Sequence, residues 1–537
     1  MNLIFLKCGL LTILLSFAID FSCASKISII PQPLKLIVLE GNFILPSKVS
    51  CEYSSGCLNE AEYLNNALMK RFNIQNEISS KLPTKVISLK LRHEEISCFG
   101  KEGYELKVLP SGVFINAAKP AGIFYGIQSL LQLIVKNTDT QYSVPCIDIY
   151  DIPRFSWRAF LLDEARTFQG TEIVKQLLDE MAVLKMNVFH WHLTDDQGWR
   201  IEIKKYPELI KINSPETLSE DLQKGDKNGY YSQEQIKEIV KYAAKRHITV
   251  VPEIEMPGHA SAAIAAYPWL GVDKNKIEMP TKVTGIFLNT YDVSDPRTMK
   301  FLQDMLQEVK TLFPGGIIHI GGDEINFSKW KNSKNVNFFM KSNDIITPAD
   351  LQIWFTNKIS VILNRINIRM MGWNDIMGQN LHNYAENAEK DFKVKQRLAP
   401  QTIVHFWKGD LKLITETVTK GYEVVNSYHI FTYLDYPYEN LSLQKAYSFD
   451  PIPDGLPSEL YSKIIGLGCQ MWGSSVCTIE TKEKLHKQVF PRIAAYAEIG
   501  WTSKENKSFE RFKSSLPFLI TRWQSQGIKS IGPLDSN

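Results

Sequence analysis

The feature that most constrains this chain is a regular alternation of short apolar strands and longer amphipathic helices after residue 150. The strand segments are AFLLDEAR (from Ala159), NVFHWHLTDD (from Asn187), ITVVPEIEMPGH (from Ile248), GIIHIGGDE (from Gly316), IRMMGWND (from Ile368), TIVHFWKG (from Thr402), EVVNSYHIFTYLD (from Glu423) and IIGLGCQMWG (from Ile464). Helical patterns span Glu172 to Lys185, Gln233 to Arg246, Arg297 to Phe313, Pro348 to Ile366 and Lys482 to Ile499. Eight such units predict an α/β fold, a closed (β/α)8 TIM barrel.

The residues before the barrel show a different pattern of strands and helices. The stretches KISIIPQPLKLIVLEGNFILP and GYELKVLPSGVFINA alternate apolar and polar positions, as strands do, and helical patches lie at Leu58 to Arg71 and Gly122 to Val135. Pro153 breaks the pattern in YDIPRFSWR. We therefore expect a small α+β domain over residues 25–150 and the barrel over residues 151–537.

The first 24 residues are typical of a secretory signal peptide. MNLIFLK precedes the apolar run CGLLTILLSFAI, and small residues follow around Ala24, where we expect cleavage. A membrane anchor is the alternative, but the apolar run is shorter than the ~20 residues that a span needs. We expect a chain in the secretory pathway, either secreted or in a lysosome-like compartment, with no membrane span after cleavage. Two short disulfide loops are conceivable, Cys51 to Cys57 and Cys469 to Cys477.

Composition excludes several classes of partner and cofactor. The net charge is only +3, so nothing favours nucleic acid. His190 and His192 share a strand face but flank Trp191, and no carboxylate set stands beside them in the sequence, so we expect no metal. No cofactor motif and no G-x-S-x-G nucleophile elbow occur.

The ends of the predicted strands carry acidic, basic or aromatic residues throughout. In chain order they are Asp163 and Arg166, Asp195 and Asp196, Glu255 and His259, Asp323 and Glu324, Trp373, Trp407, Tyr433 and Asp435, and Trp472. Active sites of such barrels lie at the carboxyl ends of the strands, so these residues predict one site. Gly321 and Gly322 allow the chain to bend before the acidic pair. Two carboxylates in one desolvated pocket favour the protonated form of one of them, a candidate general acid.

Four strand-end aromatics around a carboxylate pair indicate a sugar site, since flat rings pack on the apolar faces of a pyranose. The ordered motifs FHWHLTDDQGWR, PEIEMPGHA, HIGGDE, GWND and YLDY resemble those of glycoside hydrolase family 20, the β-N-acetylhexosaminidases. The resemblance extends to residues 25–150, which are similar to the family's N-terminal non-catalytic domain. It implies substrate-assisted retaining hydrolysis of terminal β-linked GlcNAc or GalNAc, in which the acetamido oxygen attacks C1 and forms an oxazolinium.

The resemblance also implies roles for the site residues. Glu324 would be the general acid and then the base, Asp323 would orient the acetamido group, and Tyr433 would hold its oxygen. His259 with Asp195 would form a relay that tunes Glu324.

The same resemblance implies the substrate-binding residues. Arg166 would bind ring hydroxyls and Asp435 the O6 hydroxyl, while Trp373, Trp407 and Trp472 would wall the pocket. The implied partners are a glycan or chitooligosaccharide and, as in many family members, a second copy of the chain.

Two positions depart from the family pattern. Thr167 stands where histidine usually follows the arginine, and Ser474 stands where a glutamate usually binds sugar hydroxyls two residues after the last tryptophan. Loss of that acceptor removes a charge-assisted hydrogen bond worth about 1.5 to 3 kcal/mol.

Two alternatives to the hexosaminidase remain open. A catalytically weak sugar-binding protein is conceivable because of Ser474. The other is a retaining barrel glycosidase with Glu255 as nucleophile, which would need no N-acetyl group.

Overall fold

The computed structural model describes residues 27–79, 87–92, 99–139, 141–213, 217–223, 226, 228–279, 289–378, 381–382, 394–473 and 479–535. The proposed signal peptide, Cys98, Ser474 and Cys477 lie outside these ranges. Cys57 and Cys469 carry free, buried thiols, so neither of the two short disulfide loops is closed.

An eight-stranded mixed sheet forms the N-terminal unit. Its strands are β1 (Lys35–Leu45), β2 (Lys48–Tyr53), β3 (Gln75–Ser79), β4 (Ile87–Leu91), β5 (Tyr104–Leu109), β6 (Gly112–Ala117), β7 (Val135–Lys136) and β8 (Tyr142–Asp151). Two helices lie in the same part of the chain, α1 (Leu58–Phe72) and α2 (Pro120–Leu133). These two helices confirm the two predicted patches.

Eight parallel strands after residue 156 close into a barrel, which confirms the predicted fold. They are β9 (Trp157–Asp163), β10 (Val188–His192), β13 (Thr249–Glu253), β14 (Ile317–His319), β15 (Arg369–Trp373), β16 (Ile403–Phe406), β17 (Glu423–Asn426) and β18 (Ile464–Met471). A small hairpin, β11 (Thr194–Asp195) and β12 (Gly198–Trp199), follows β10. Each predicted strand segment overlaps one barrel strand, and only β9 begins before its segment, by two residues.

Helices follow the barrel strands. They are α3 (Thr171–Val183), α4 (Gln233–Ala244), α5 (Ser261–Ala266), α6 (Pro296–Leu312), α7 (Ser328–Asn332), α8 (Lys334–Ser342), α9 (Pro348–Arg365), α10 (Lys412–Thr419), α11 (His429–Thr432), α12 (Leu443–Ser448), α13 (Lys482–Val489), α14 (Arg492–Trp501) and α15 (Phe509–Ser525). The single helix predicted from Lys482 to Ile499 is wrong in one respect, because Pro491 divides it into α13 and α14. Proline disfavours helical geometry at the residue before it, here Phe490. None of the described helices combines the length and apolar character that crossing a bilayer requires.

An apolar layer fills the lower part of the barrel. Every strand contributes to it, and its members are Trp157, Ala159, Val188, Val251, Ile317, Met371, Ile403, Val425 and Ile465. The polar residues of the strands lie nearer the carboxyl ends, where Asp163, His192, Glu253 and His319 stand in lateral register on β9, β10, β13 and β14. Because apolar side chains fill the lower part of the barrel, the polar side chains lie at its carboxyl end, where active sites of such barrels lie.

Buried ion pairs join the N-terminal sheet to the barrel. Lys185, after α3, lies 3.0 Å from the Asp151 carboxylate at the end of β8, and Trp501 donates to the same carboxylate over 2.9 Å. Arg158 on β9 pairs with Glu102 over 2.8 Å. Each of these buried charges has a partner across the junction, which limits its desolvation cost. The division near residue 150 stays a prediction.

Candidate active site

The acidic pair lies in an irregular turn directly after β14. Gly321 and Gly322 both have positive φ angles, 62° and 91°, which a residue with a Cβ rarely adopts. A Cβ added at Gly321 would also clash with the Glu255 carboxylate. The turn breaks strand alternation, so Asp323 and Glu324 both approach the same imidazole.

That imidazole belongs to His259, which follows β13. Its Nε2 lies 3.8 Å from Asp323 Oδ2 and 3.7 Å from Glu324 Oε2. The Glu324 side chain is 30% exposed and that of Asp323 16%, so Glu324 faces the open side of the site. The Glu324 backbone N–H donates to Asp375 over 3.4 Å.

The other ring nitrogen of His259 lies near two further carboxylates. Its Nδ1 lies 3.1 Å from Asp195 Oδ1 and 3.3 Å from Asp196 Oδ2. The second oxygen of Asp195 lies 2.7 Å from Arg166 and 3.0 Å from His192. Asp195 therefore joins two imidazoles and a guanidinium beneath the acidic pair.

Burial and neighbouring charges separate the protonation states of these groups. Burial opposes the imidazolium of His259, but Asp195 outweighs it and raises the His259 pKa well above its usual range. Burial also opposes ionisation of Asp195, but Arg166 and then His259 hold the Asp195 pKa well below its usual range. Burial, joined by the charges of Asp375 and Glu324 and only partly offset by His259, raises the Asp323 pKa well above its ordinary value. The site thus holds an imidazolium and an ionised Asp195 below an acidic pair in which Asp323 resists ionisation.

Four aromatic rings wall the space beside the acids. Trp407 and Tyr433 lie parallel, with an interplanar angle of 7° and 6.0 Å between centroids. Trp373 lies 6.5 Å from Trp407 and 5.9 Å from Trp472. The Arg166 guanidinium lies 5.4 Å from the centre of the Trp472 ring. Flat faces next to charged groups suit a pyranose, which offers apolar C–H faces and hydroxyls.

Asp435 and Thr167 are both buried. With Asp323, the charge of Asp435 adds to burial in raising the Tyr433 pKa well above its ordinary value. Thr167 is the departure beside Arg166. The structure therefore brings all ten predicted residues to one end of the barrel: Arg166, Asp195, His259, Asp323, Glu324, Trp373, Trp407, Tyr433, Asp435 and Trp472.

Sequence reasoning missed Asp375 and Glu253. Asp375 accepts hydrogen bonds from the Trp407 indole over 2.8 Å and from the Glu324 backbone. It therefore links one aromatic wall of the pocket to the turn that carries Glu324. Its place two residues after Trp373 in GWND was the available signal. Glu253 lies 2.9 Å from both His190 and His192, so the assumption that these histidines lack a nearby carboxylate is wrong.

The sequence and the fold of this chain are similar to those of known glycoside hydrolases. Residues 155–504 match the model of the glycosyl hydrolase family 20 catalytic domain, and residues 26–152 match that of the family's domain 2. A β-hexosaminidase of Porphyromonas gingivalis is 32% identical over 95% of this chain, which spans 65% of that relative's length. The structure is similar to that of Flavobacterium johnsoniae chitobiase, with a TM-score of 0.78, 33% identity and coverage of 94% of this chain and 73% of that one.

A further similar structure contains a sugar. It is an exo-β-N-acetylglucosaminidase of Vibrio harveyi in complex with N-acetylglucosamine, with a TM-score of 0.79, 25% identity and coverage of 95% of this chain and 78% of that one.

Proposed function

Because this chain belongs to glycosyl hydrolase family 20, we propose that it is an exo-acting β-N-acetylhexosaminidase that removes terminal non-reducing β-linked GlcNAc or GalNAc. The observation that carries the proposal is the Asp323–Glu324 pair, with both carboxylates turned toward His259 beside a four-ring aromatic wall. The similarity to a chitobiase and to an exo-β-N-acetylglucosaminidase that binds N-acetylglucosamine supports the sugar class.

The proposed reaction uses the substrate's own acetamido group. Glu324 gives its proton to the glycosidic oxygen while the bond from that oxygen to C1 breaks, and the acetamido oxygen forms the new bond to C1. The Glu324 carboxylate then takes a proton from the water that opens the oxazolinium. Asp323 orients the acetamido N–H and stabilises the positive charge that develops there.

Tyr433 suits the task of holding the acetamido oxygen. Burial and the charges of Asp323 and Asp435 raise its pKa well above the ordinary value, so the phenol keeps its proton and can donate. Trp373, Trp407 and Trp472 would enclose the acetyl group and the sugar face. Arg166 and Asp435 would bind hydroxyls.

Glu255 fits poorly as the nucleophile of an ordinary retaining glycosidase. It is buried directly beneath Gly321, and burial together with the charges of Asp323 and Glu253 raises its pKa well above the usual value. A carboxylate buried under this turn is poorly placed to reach C1 of a sugar in the open part of the site. This environment favours the substrate-assisted route.

We further propose that the enzyme is exported through the predicted signal peptide and acts on glycans or chitooligosaccharides. A homodimer remains an expectation of the family resemblance.

The test compares an aryl β-GlcNAc glycoside with the matching β-glucoside. We expect cleavage of the first alone, and a loss of roughly 100-fold or more in kcat for Glu324→Gln. Glu180→Gln, which alters a buried glutamate on α3 paired with Arg522, is the matched control and keeps turnover. Equal cleavage of both sugars would contradict the acetamido mechanism, and binding of GlcNAc without turnover would identify a recognition protein instead.

A further inference from the structure

A buried glutamate joins histidines of two strands and the indole of a third beneath the proposed site. Glu253, at the end of β13, is buried, and its Oε2 lies 2.9 Å from both His190 Nε2 and His192 Nδ1. Its Oε1 lies 2.9 Å from His319 Nδ1 and accepts from the Trp373 indole over 2.7 Å. We call this cluster (His190, His192, Glu253, His319 and Trp373) the Glu253 hub.

Strand register builds the hub. Glu253 is the lateral neighbour of His192 on one side and of His319 on the other. Neighbouring strands are about 4.8 Å apart, so side chains at one level of the barrel interior meet at hydrogen-bond distance.

The hub connects to the acidic pair through a short chain of contacts. His192 Nε2 lies 3.0 Å from Asp195 Oδ2, and the other Asp195 oxygen lies 3.1 Å from His259 Nδ1. His259 then faces Asp323 and Glu324. His192 Nε2 hydrogen-bonds Asp195, whereas Nδ1 lies 2.9 Å from Glu253 Oε2 without hydrogen-bond geometry, so Glu253 acts on His192 through its charge.

Two atoms of the hub accept hydrogen bonds from neighbouring N–H groups. The Trp373 indole N–H points at Glu253 Oε1, and the backbone N–H of Gly321 donates to His319 Nδ1 over 3.1 Å. Glu253 Oε1 and His319 Nδ1 are thereby satisfied. Among the described residues, Glu253 Oε2, His190 Nε2 and His192 Nδ1 are buried without a hydrogen-bond partner, so zinc content is one of the outcomes of the test.

Resting on the proposed function, we propose that Glu253 is a positioning residue for the reaction. Through His192 and Asp195 it keeps the His259 imidazole in place beside the acidic pair. Through Trp373 it fixes one wall of the sugar pocket.

Charge and burial agree with this role. Burial opposes the imidazolium of His192, but the charge of Glu253 and the hydrogen bond to Asp195 raise the His192 pKa to about 9, whereas burial lowers the His190 pKa to about 4. Burial opposes ionisation of Glu253, but His319, His192 and His190 hold its pKa well below the usual value. The titratable groups that face the hub from the surrounding strands are Asp163, Asp195, Glu255, Asp323 and His405.

The first arm of the test needs no substrate. Nitrogen-15 NMR of the ten labelled histidines, with His192→Gln to assign the signal, should show His192 titrating near pH 9 in the wild type. In Glu253→Gln the midpoint should fall toward the ordinary value of 6.5, because the favourable negative charge is gone. Glu253→Asp keeps the charge and should retain a raised midpoint.

The second arm is the pH profile of kcat/KM on the aryl β-GlcNAc glycoside. In Glu253→Gln we expect a fall of roughly 100-fold at the optimum, mostly in kcat. We also expect the high-pH limb to move to lower pH by about one unit or more, because His192 loses its proton earlier. A purely structural role would lower activity equally at every pH. Glu180→Gln, the buried control, should keep the wild-type profile.

The outcomes separate this proposal from the proposed function. An unchanged His192 midpoint in Glu253→Gln, a profile parallel to that of the wild type, or stoichiometric zinc in the purified protein would each overturn the hub. If Glu253→Gln does not fold, collapse of the His192 midpoint in Glu253→Asp would overturn it. A wild type that cleaves no glycoside contradicts the proposed function, and the NMR arm still decides whether Glu253 sets the charge of His192.

Discussion

Asp323 and Glu324 are neighbours in sequence, but their carboxylates occupy different environments. Asp323 lies deeper and meets the charges of Asp375 and Glu324, whereas Glu324 faces the open side of the site. In the proposed mechanism, these environments give the adjacent residues different functions, one inside the pocket and one at the leaving group. Only the turn formed by Gly321 and Gly322 makes this possible.

Asp375 provides a test of the Asp323 environment. In Asp375→Asn a neighbouring negative charge is lost, so the raised pKa of Asp323 falls toward its ordinary 3.8. Because the proposed role needs ionised Asp323, the acid limb of the kcat/KM profile should move to lower pH, by roughly one unit. The measurement is the pH profile of aryl β-GlcNAc cleavage.

The control for that variant is Asp179→Asn, which removes a carboxylate of α3 that pairs with Arg246. It should leave the acid limb in place. An acid limb that stays fixed or rises in Asp375→Asn would show that Asp375 does not govern Asp323.

At the level of elements, the turn after β14 positions the acids more than the strand does. The strand itself is only Ile317–His319, and the glycines that follow combine positive φ with close approach to Glu255. Glycine is needed here for two reasons, backbone conformation and space.

Two glycine variants separate these reasons. Gly321→Ala and Gly316→Ala both place a Cβ at positive φ, which costs about 1 to 2 kcal/mol, but only position 321 lacks space for it. We expect Gly316→Ala to lower stability while kcat/KM stays within about twofold, and Gly321→Ala to lower kcat/KM by roughly 100-fold. Thermal unfolding and kinetics of both variants provide the measurement, and equal kinetic losses would contradict the steric argument.

In the molecule as a whole, the protein buries carboxylates well outside the Asp323–Glu324 pair. Glu164, after β9, accepts from the Tyr231 hydroxyl over 2.9 Å and from the Gln169 backbone over 2.7 Å. Burial raises its pKa from 4.5 to about 8. The folded state therefore holds this carboxyl neutral where the unfolded chain ionises it.

The difference between the folded and unfolded pKa values of Glu164 predicts how stability depends on pH. A folded pKa above the unfolded value means that the contribution of Glu164 is fully present below pH 4.5 and is lost as pH rises to about 8. Glu164→Gln imitates the neutral form, so the free energy of unfolding should decline less between pH 5 and 8 than in the wild type. Urea unfolding at several pH values measures the difference.

Glu172→Gln, at an exposed position of α3, is the control and should parallel the wild type. Identical slopes for Glu164→Gln and the wild type would show that Glu164 is ionised in the folded protein.

The strand and helix pattern of the chain is enough to predict the barrel and the end of it that carries the candidate site. Alternating apolar strands and amphipathic helices can bury both sheet faces in few ways, and residues that follow such strands meet at one end. The adjacent carboxylates, the histidine after β13 and the strand-end aromatics were therefore predictable as one site. The helix predicted from Lys482 to Ile499 exceeded what local pattern supports, since Pro491 divides it.

Which side chains touch depends on strand register and barrel closure. Glu253 meets His192 and His319 because β13 lies between β10 and β14 in a particular register, and a shift of one residue would turn each side chain to the opposite face. Asp375 meets Trp407 and the Glu324 backbone for a similar reason, across loops of different strands. Strand pattern encodes which element forms and which end it presents, whereas contacts between distant residues depend on register and closure, which no local stretch of sequence contains.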